Sequence, residues 1–236
     1  MLTHAVLAAG RGTRMFGPDG GNKAMARVGA GHLIDYVVRE VEGLSPDKTI
    51  VLAGGDDLAT PERVQALTAS PVETIRSPSD GTGPGVRRLL AASASTLIAL
   101  TTCDLAADTG SLTSFFDAAL PLVLTNQPRC VVAVSPLDEG DAAPIYVHTH
   151  GNHVVDYGKR APWSRQSFAG ARLMNSSFAR AMLEIPNPIG TDTEMMSALV
   201  HADRCAVLAI SVPDLFDVDN LDSLKRATAL TREDPV

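Results

Sequence analysis

The segment LAAGRGTRM, residues 7–15, joins two glycines and two arginines directly to the first hydrophobic run of the chain. The backbone amides of a turn as bare as residues 10–12 can approach phosphate oxygens closely, because glycine has no Cβ to keep a ligand away. Arg11 and Arg14 carry the positive charge that a bound anion requires. The residue types and their spacing therefore predict a site for phosphate groups.

Neither of the two common nucleotide-binding motifs is present in this segment. The dinucleotide fingerprint needs a third glycine where this chain has Met15. The P-loop needs Ser or Thr after its lysine, whereas Ala24 follows Lys23. A tight structural turn whose arginines are solvated therefore stays open as an interpretation of these residues alone.

The elements around the turn are those of an alternating α/β fold. Residues 4–10 form a short apolar run that is typical of a buried strand and ends in glycine. Apolar side chains recur at helical spacing in residues 31–44, and a second short apolar run follows in residues 48–55. The same alternation predicts helices in residues 60–69 and 85–95, and strands in residues 96–104 and 129–136. Ligands of such sheets bind at the carboxyl ends of the strands, which is where the glycine turn lies.

The pattern changes in the second half of the chain. Residues 144–158 alternate as a hairpin does, and residues 168–185 are typical of a strand that passes into a helix. A last core strand is predicted in residues 204–212, and the acidic residues 214–231 should end in a closing helix. We therefore predict a Rossmann-like three-layer α/β/α fold with a mixed, mainly parallel central sheet.

Residues 7–38, LAAGRGTRMFGPDGGNKAMARVGAGHLIDYVV, resemble the signature of a nucleotidyltransferase family. Its members include sugar-1-phosphate nucleotidyltransferases, molybdenum-cofactor guanylyltransferase-like proteins and phosphocholine cytidylyltransferases. The shared pattern is L-A-A-G-x-G-x-R-M, a spacer of variable length, and usually P-K before a helix. Lys23 is kept in this chain, whereas Asn22 stands where the family commonly has proline.

Three later segments extend the resemblance over nearly the whole chain and follow the order of the family. Gly81 and Thr82 match a loop whose backbone groups read the edge of the base. Asp104 matches the aspartate that ends an apolar strand and holds magnesium. Asp217, Asp219 or both match the terminal acidic motif that completes the metal site.

The resemblance implies a GT-A-like nucleotidyltransferase fold in a single domain, residues 1–236. Residues 1–136 would bind the nucleotide, residues 137–212 would bind the acceptor, and residues 213–236 would supply the acidic motif and the closing helix. The implied reaction moves a nucleoside monophosphate from a nucleoside triphosphate to a small phosphorylated acceptor and releases pyrophosphate. The implied cofactor is Mg²⁺, which prefers hard oxygen ligands and commonly binds carboxylates together with substrate phosphates.

This reaction brings two anions together, so positioning and charge neutralisation supply most of the catalysis. Arg14 is expected to fork onto phosphate oxygens, and Lys23 to place a compact charge beside the α-phosphate. Together with the metal-binding Asp104, these two cations make up the predicted catalytic residues. The other predicted contacts of the triphosphate are Leu7, Ala8, Ala9, Gly10, Arg11, Gly12 and Thr13.

In the family the acceptor pocket is shaped by the middle of the chain, which corresponds here to residues 137–200. Lys159 stands where relatives often place a basic group for the acceptor phosphate, and a surface lysine is the alternative interpretation. Asn175 lies in a segment similar to the strand that contacts the acceptor, and Glu194 is a further candidate. The acceptor is expected to be a sugar 1-phosphate, a phosphorylated alcohol or amino alcohol, or a phosphonate.

Composition limits the partners of the protein. A net charge of −7 at pH 7 gives no general attraction to nucleic acid or to an anionic membrane. The chain has no apolar run of the about 18 residues needed to cross a bilayer. Its three cysteines are too far apart for a disulfide framework or a zinc site. We expect a cytoplasmic protein without nucleic-acid or membrane partners, and the sequence leaves open whether it forms a homodimer.

Two other functions stay open on the sequence alone. A GT-A-type glycosyltransferase usually carries a D-x-D pair on its central strand, where this chain has the single Asp104. A non-catalytic nucleotide-binding protein would account for Asn22 and Cys103, which replace a common Pro and a common Gly of the family. Release of pyrophosphate would separate a nucleotidyltransferase from both. The sequence identifies neither the base nor the acceptor.

Overall fold

Strands and helices alternate along the chain. The computed structural model describes residues 1–17, 20–77, 81–137, 144–159, 163–186, 190–202 and 205–230. Within these ranges the strands are β1 Leu2–Ala8, β2 Arg27–Val28, β3 Gly31–His32, β4 Lys48–Gly54, β5 Val72–Ser77, β6 Leu97–Thr102, β7 Leu105–Ala106, β8 Arg129–Pro136, β9 Tyr146–His150, β10 His153–Gly158, β11 Gln166–Asn175, β12 Ala206–Ser211 and β13 Phe216–Asp217. The helices are α1 Thr13–Phe16, α2 Leu33–Glu42, α3 Ala59–Leu67, α4 Thr82–Ala92, α5 Ser111–Val123, α6 Ser176–Glu184, α7 Asp192–His201 and α8 Leu221–Leu230. None of the helices in these ranges is both long enough and apolar enough to cross a bilayer.

Nine of the strands form one mixed sheet in the order β5-β4-β1-β6-β11-β8-β12-β10-β9. The strands β5, β4, β1 and β6 are parallel, as expected of strands that are linked through helices. Strand β11 runs antiparallel to β6 on one side and to β8 on the other, and β10 runs antiparallel to β12 and β9. Among the described strands of this sheet, β11 and β10 alone oppose the others. The predicted mixed and mainly parallel sheet is therefore confirmed.

Helices cover both faces of the sheet and complete three layers. On one face α4, α6 and α7 pack apolar side chains such as Leu89, Phe178 and Met195 against the strands. On the other face α2 and α5 contribute Val37 and Phe115. Strands that are covered on both sides are buried throughout, which explains why they occur in the sequence as short continuous apolar runs. This layering confirms the predicted α/β/α fold class.

Parallel pairing brings the carboxyl ends of β1, β4 and β6 to one edge of the sheet. Leu7 of β1 lies opposite Thr102 of β6, and Ala8 lies opposite Ala53 of β4. The three strands therefore end at the same level, and the residues that follow them meet there. The glycine turn after β1 consequently lies beside the segment after β6, which begins at Cys103.

The C-terminal segment returns to this edge through a small second sheet. Strand β13 pairs with β7 so that Asp217 lies opposite Leu105, and Val218 donates its N–H to the carbonyl of Asp104 at 2.8 Å. A small apolar cluster includes both Met15 of α1 and Val218. The two ends of the chain therefore share one small core next to the glycine turn.

Helix α5 has 13 residues, but no local sequence pattern predicts it. It begins after Gly110, which has no side chain to cap it. The carboxylate of Glu40 in α2 takes that role by accepting the N–H groups of Gly110 and Thr113 at 2.9 and 3.1 Å. In addition, Pro121 lies in the last turn of the helix, where proline usually signals a break. The cap from a distant residue and the internal proline explain why the local pattern gives no helix signal.

Candidate active site

Gly12 shapes the turn after β1. Its φ of +56° lies in the left-handed region that favours glycine, and its carbonyl accepts the N–H groups of Met15 and Phe16 at 2.9 Å. A Cβ at this position would lie 3.0 Å from the ring of Phe16 and 3.2 Å from Cβ of Lys23, so the turn packs tightly against the segment that carries this lysine. A Cβ on Gly10 would meet no described atom within 4 Å. The backbone of Gly10 therefore faces space that a ligand can occupy.

Lys23 lies in a short 3₁₀ helix, Lys23–Met25, and is 7% exposed. Its ammonium donates to Oδ2 of Asp104 at 2.5 Å and also to Oδ1 of Asp219. Burial alone would lower the pKa of Lys23, but the charges and hydrogen bonds of the two carboxylates outweigh burial and raise the pKa above its usual value. Lys23 is therefore a cation held between carboxylates from distant parts of the chain.

Asp219 joins two cations. One oxygen of its carboxylate accepts a hydrogen bond from Lys23, and the other accepts one from Nη1 of Arg14 at 2.9 Å. Its backbone N–H donates to Oγ of Ser223, in the first turn of α8, at 3.0 Å. Arg14 and Asp219 are 205 residues apart in the sequence, so their contact depends on the return of the C-terminal segment.

Asp104 has one carboxylate oxygen that no described residue binds. Its Oδ2 accepts from Lys23, whereas its Oδ1 is buried and has no hydrogen-bond partner among the described residues. A buried acceptor without a partner is costly and points to a group that binds there. Asp104 and Asp219 offer the hard oxygen donors that Mg²⁺ prefers, and substrate phosphates commonly complete such a site. The two aspartates could therefore hold a magnesium ion, although the described ranges contain no group of three or more His, Cys, Asp or Glu suited to a metal.

Asp217 lies near the same edge but beside a different strand. It is exposed on β13, and its Oδ1 lies 3.1 Å from the point where a Cβ on Gly170 of β11 would stand. Asp219, two residues later, contacts Lys23 and Arg14 instead. The structure therefore brings Asp219 into the cluster of charges and places Asp217 next to β11.

The cluster borders a cavity of about 310 Å³ at the carboxyl ends of the strands. This volume lies at the lower end of the range of small-molecule sites, which is about 300–1,000 Å³. A second cavity, of about 360 Å³, shares Ala9, Gly10 and Arg11 with the first. The glycine turn therefore borders two cavities. The predicted site residues that line one or both are Leu7, Ala8, Ala9, Gly10, Arg11, Lys23, Gly81, Thr82 and Asp104.

The beginning of α4 forms part of the wall of the first cavity. Gly81 precedes the helix with a φ of +100°, at which a side chain would be strained. Thr82 is the first helical residue, and its Oγ1 accepts the N–H of Asp192 at 3.3 Å. The first N–H groups of a helix have no partner within it, so this wall favours an anion or a polar edge of a base.

The other predicted residues of the turn line neither cavity; these are Gly12, Thr13 and Arg14. Gly12 shapes the turn, and Thr13 begins α1. Arg14 reaches the charge cluster through Asp219. In the described structure these three residues therefore shape the turn and bind the carboxylate of Asp219 beside it.

The three predicted acceptor residues also line neither cavity. Asn175 lies at the opposite edge of the sheet, where β6 begins, and its Oδ1 caps α6 by accepting the N–H of Phe178 at 3.0 Å. Oε2 of Glu194 accepts the N–H of Thr191 at 2.9 Å in a capping box at the start of α7. Lys159 is exposed after β10. The structure therefore gives Asn175 and Glu194 helix-capping contacts and does not bring Lys159 to the cavities.

Asn22 makes contacts that no sequence pattern predicts. Its Nδ2 donates to Oδ1 of Asp57 at 2.8 Å and to Oγ1 of Thr60 at 3.0 Å. These bonds fasten the residue before Lys23 to the beginning of α3. The partners lie 35 and 38 residues away in the sequence, so no local signal could have identified them.

Thr102 and Cys103 line the first cavity as well, although no sequence pattern assigns either of them to the site. Oγ1 of Thr102 is buried and has no hydrogen-bond partner among the described residues. Burial, and secondarily the charge of Asp104, raise the pKa of the Cys103 thiol. This buried cysteine, which is 3% exposed, therefore forms an apolar part of the wall.

The sequence itself matches a known family over about two thirds of its length. Residues 4–160 fit the family model of the MobA-like NTP transferase domain. The matched range contains the glycine turn, Lys23, the beginning of α4 and Asp104, and it ends before Asp219. No curated protein matches the chain in sequence.

Solved structures with the same fold cover nearly the whole chain. A provisionally assigned glucose-1-phosphate thymidylyltransferase from Bacillus anthracis, in complex with a sucrose, has a TM-score of 0.83 at 14% identity, covering 100% of this chain and 97% of that one. An inositol-1-phosphate CTP transferase from T. maritima has a TM-score of 0.80 at 14% identity, covering 99% of this chain and 97% of that one. A UDP-glucose pyrophosphorylase complexed with UDP-glucose has a TM-score of 0.76 at 15% identity, covering 99% of both chains. At such low identities these similarities show a shared fold.

Proposed function

The chain belongs to the MobA-like NTP transferase family, and from this premise we propose its reaction. A nucleoside triphosphate donates its nucleoside monophosphate to a small phosphorylated acceptor, Mg²⁺ is the cofactor, and pyrophosphate is released. The observation that carries the proposal is the convergence of Lys23, Asp104 and Asp219 beside a cavity that the glycine turn borders. Because the family makes the chain a nucleotidyltransferase, glycosyl transfer and non-catalytic binding are set aside.

The proposed chemistry needs no nucleophile from the protein. The bond that forms joins a phosphate oxygen of the acceptor to the α-phosphorus of the triphosphate. The bond that breaks joins that phosphorus to the oxygen of pyrophosphate, which leaves with the electron pair. The protein has to hold two anions in line and to neutralise their charge, and these two effects account for most of the catalysis in such transfers.

The glycine turn is the proposed triphosphate site because it borders both cavities. Phosphate oxygens can approach the backbone at Gly10, where no described atom obstructs them. The ammonium of Lys23, which lines the first cavity, would bind the α-phosphate, and the guanidinium of Arg14 would bind further phosphate oxygens. The base would lie against Gly81 and Thr82 at the beginning of α4.

Asp104 and Asp219 are the proposed ligands of Mg²⁺. Neutralisation of phosphate charge is the chemistry that the bound ion would supply during the transfer. Asp104 offers its unpaired Oδ1, and Asp219 is held in place by Arg14. Asp217 is a second candidate, since it lies on the same acidic segment.

We propose a phosphorylated sugar or polyol as the acceptor, ahead of a phosphorylated amino alcohol or a phosphonate. The support is that proteins with this fold over nearly their whole length are described by names that contain glucose-1-phosphate and inositol-1-phosphate. The half of the sheet beyond β6, with α7, is the proposed acceptor side. From composition and net charge we further propose a cytoplasmic enzyme, active alone or as a homodimer, without nucleic-acid or membrane partners.

A substrate panel tests the reaction. The purified protein is incubated with Mg²⁺, with ATP, GTP, CTP or UTP, and with glucose 1-phosphate, inositol 1-phosphate, phosphocholine or a phosphonate. We expect at least one pair to release pyrophosphate in step with a nucleotidylated product that mass spectrometry detects. Omission of the acceptor or addition of EDTA should stop both signals. A folded protein that releases no pyrophosphate with any pair would contradict the proposal.

A further inference from the structure

A charged residue is buried in the middle of the sheet. Arg172 of β11 lies between Leu100 of β6 and Val132 of β8, and its side chain has no exposed surface. Its Nη2 donates to Oδ1 of Asp192 at 2.7 Å, whereas Nε and Nη1 have no hydrogen-bond partner among the described residues. Burying a guanidinium with incomplete hydrogen bonding costs free energy, so its presence needs a reason beyond packing.

Asp192, the first residue of α7, is the counter-ion of this cation. Burial alone would lower the pKa of Arg172, but the charge and the hydrogen bond of Asp192 outweigh burial and raise it. The side chain of Asp192 is itself only 13% exposed. The pair is therefore largely withdrawn from solvent, and it fixes where α7 begins relative to the sheet.

The backbone of Asp192 continues the contact toward the cavity. Its N–H donates to Oγ1 of Thr82, which lines the cavity of about 310 Å³. The carbonyl oxygen of Gly190 lies 3.3 and 3.0 Å from the points where Cβ atoms on Gly81 and Gly83 would stand. The beginning of α7 thus presses closely against the beginning of α4, and a shift of one would displace the other.

We infer that Arg172 is a positioning residue for the nucleotide. It fixes Asp192, Asp192 fixes Thr82, and Thr82 with Gly81 sets the wall against which the base rests. The inference rests on the proposed function, because the base site at the beginning of α4 is part of that proposal. Arg172 would thus be a buried residue that affects nucleotide affinity, although it lies in the half of the sheet proposed to bind the acceptor.

Arg87 provides a matched control on α4. It is half-buried, it donates to the carbonyls of Leu183 and Ile185 at 3.1 and 2.6 Å, and its Nε is likewise buried without a partner among the described residues. It joins α4 to the end of α6 and lines neither cavity. Its replacement removes comparable contacts without touching the chain from Arg172 to Thr82.

The test is binding of the α,β-methylene analogues of ATP, GTP, CTP and UTP by isothermal titration calorimetry, together with KM and kcat for the matching triphosphate. For the analogue that the wild type binds, Arg172→Met should raise Kd by about tenfold. It should raise KM for the matching triphosphate by a similar factor and leave kcat unchanged. Arg172→Lys keeps a charge opposite Asp192 and should recover part of the affinity. Arg87→Met should lower the melting temperature and leave Kd and KM unchanged.

Wild-type affinity in a folded Arg172→Met variant would overturn the inference and leave the proposed function intact. If that variant does not fold, Asp192→Asn is the second test, because it keeps the backbone N–H but weakens the ion pair with Arg172. A higher Kd for the analogue in this variant would support the inference, and an unchanged Kd would overturn it. An equal loss of affinity in Arg87→Met would show that any loosening of α4 weakens nucleotide binding, and this result would also overturn the inference. A wild-type protein that binds none of the analogues would overturn the proposed function and the inference together.

Discussion

The ammonium of Lys23 is the centre of the charge cluster, because it binds one carboxylate from the end of β6 and one from the C-terminal segment. Its raised pKa keeps it charged at neutral pH. With Arg14, the cluster pairs two cations with two carboxylates before any ligand binds. In the proposed reaction, phosphate oxygens and a divalent cation would become the new partners of these groups.

Asp219→Asn should lower pyrophosphate release far more than Asp217→Asn. Asp219 contacts both Lys23 and Arg14, so its replacement removes a proposed metal ligand and releases two cations. We expect a loss of about 100-fold for Asp219→Asn and of less than about tenfold for Asp217→Asn. Initial rates at several Mg²⁺ concentrations check this, with circular dichroism to compare the folds. Equal losses would contradict the assignment of Asp219 as the principal ligand.

The sequence could identify Lys23 and Asp104 as site residues, but it left the choice between Asp217 and Asp219 open and could not predict the contacts. Lys23, Asp104 and Asp219 stand at matching positions of a family signature, whereas the bonds between them span 81 and 196 residues. The acceptor candidates show the limit of residue type as a signal. Asn175 and Glu194 belong to residue types that also cap helices, and the structure uses both in that way.

Local signals predicted most of the elements. The strands β1, β4 and β6 and the helix α2 follow from apolar runs and periodicity. Covering layers bury the central residues of each strand and one stripe of the helix. Helix α5 could not be found in this way, because Glu40 of α2 supplies the partners that its first turn lacks. The position of such a helix relative to its neighbours therefore depends on contacts between residues that are distant in the sequence.

Glu40→Ala should destabilise the protein without changing its kinetics. The change leaves the N–H groups of Gly110 and Thr113 without their acceptor, whereas the hydroxyl of Thr113 still donates to the backbone carbonyl of residue 40. Glu40 lines neither cavity, so the site should keep its shape. We expect the free energy of unfolding to fall by about 2 kcal/mol. Urea denaturation measures this free energy. The control is Glu62→Ala, a change of an exposed residue in the first turn of α3, which should lower the free energy of unfolding by less than about 1 kcal/mol. Similar losses in both variants would show that Glu40 does not cap α5.

The whole fold places the site at a reversal of strand order. The chain runs from β1 outward to β4 and β5, and then crosses back to β6 on the other side of β1. The connections that leave β1 and β6 therefore diverge, and a crevice opens between their carboxyl ends, where ligands of such sheets bind. The return of the C-terminal segment, which brings Asp219 to Arg14 across 205 residues, completes the site. No local pattern specifies this return, so only the family resemblance could suggest it.

Pyrophosphate release by Asp104→Asn, compared with the wild type at saturating Mg²⁺ and substrates, tests the central claim most directly. Asp104 contacts Lys23, lines the first cavity and carries the unpaired oxygen, so the site should fail without its charge. We predict a loss of at least about 100-fold with an unchanged circular dichroism spectrum. A rate within about twofold of the wild type would contradict the assignment of the active site to this edge of the sheet.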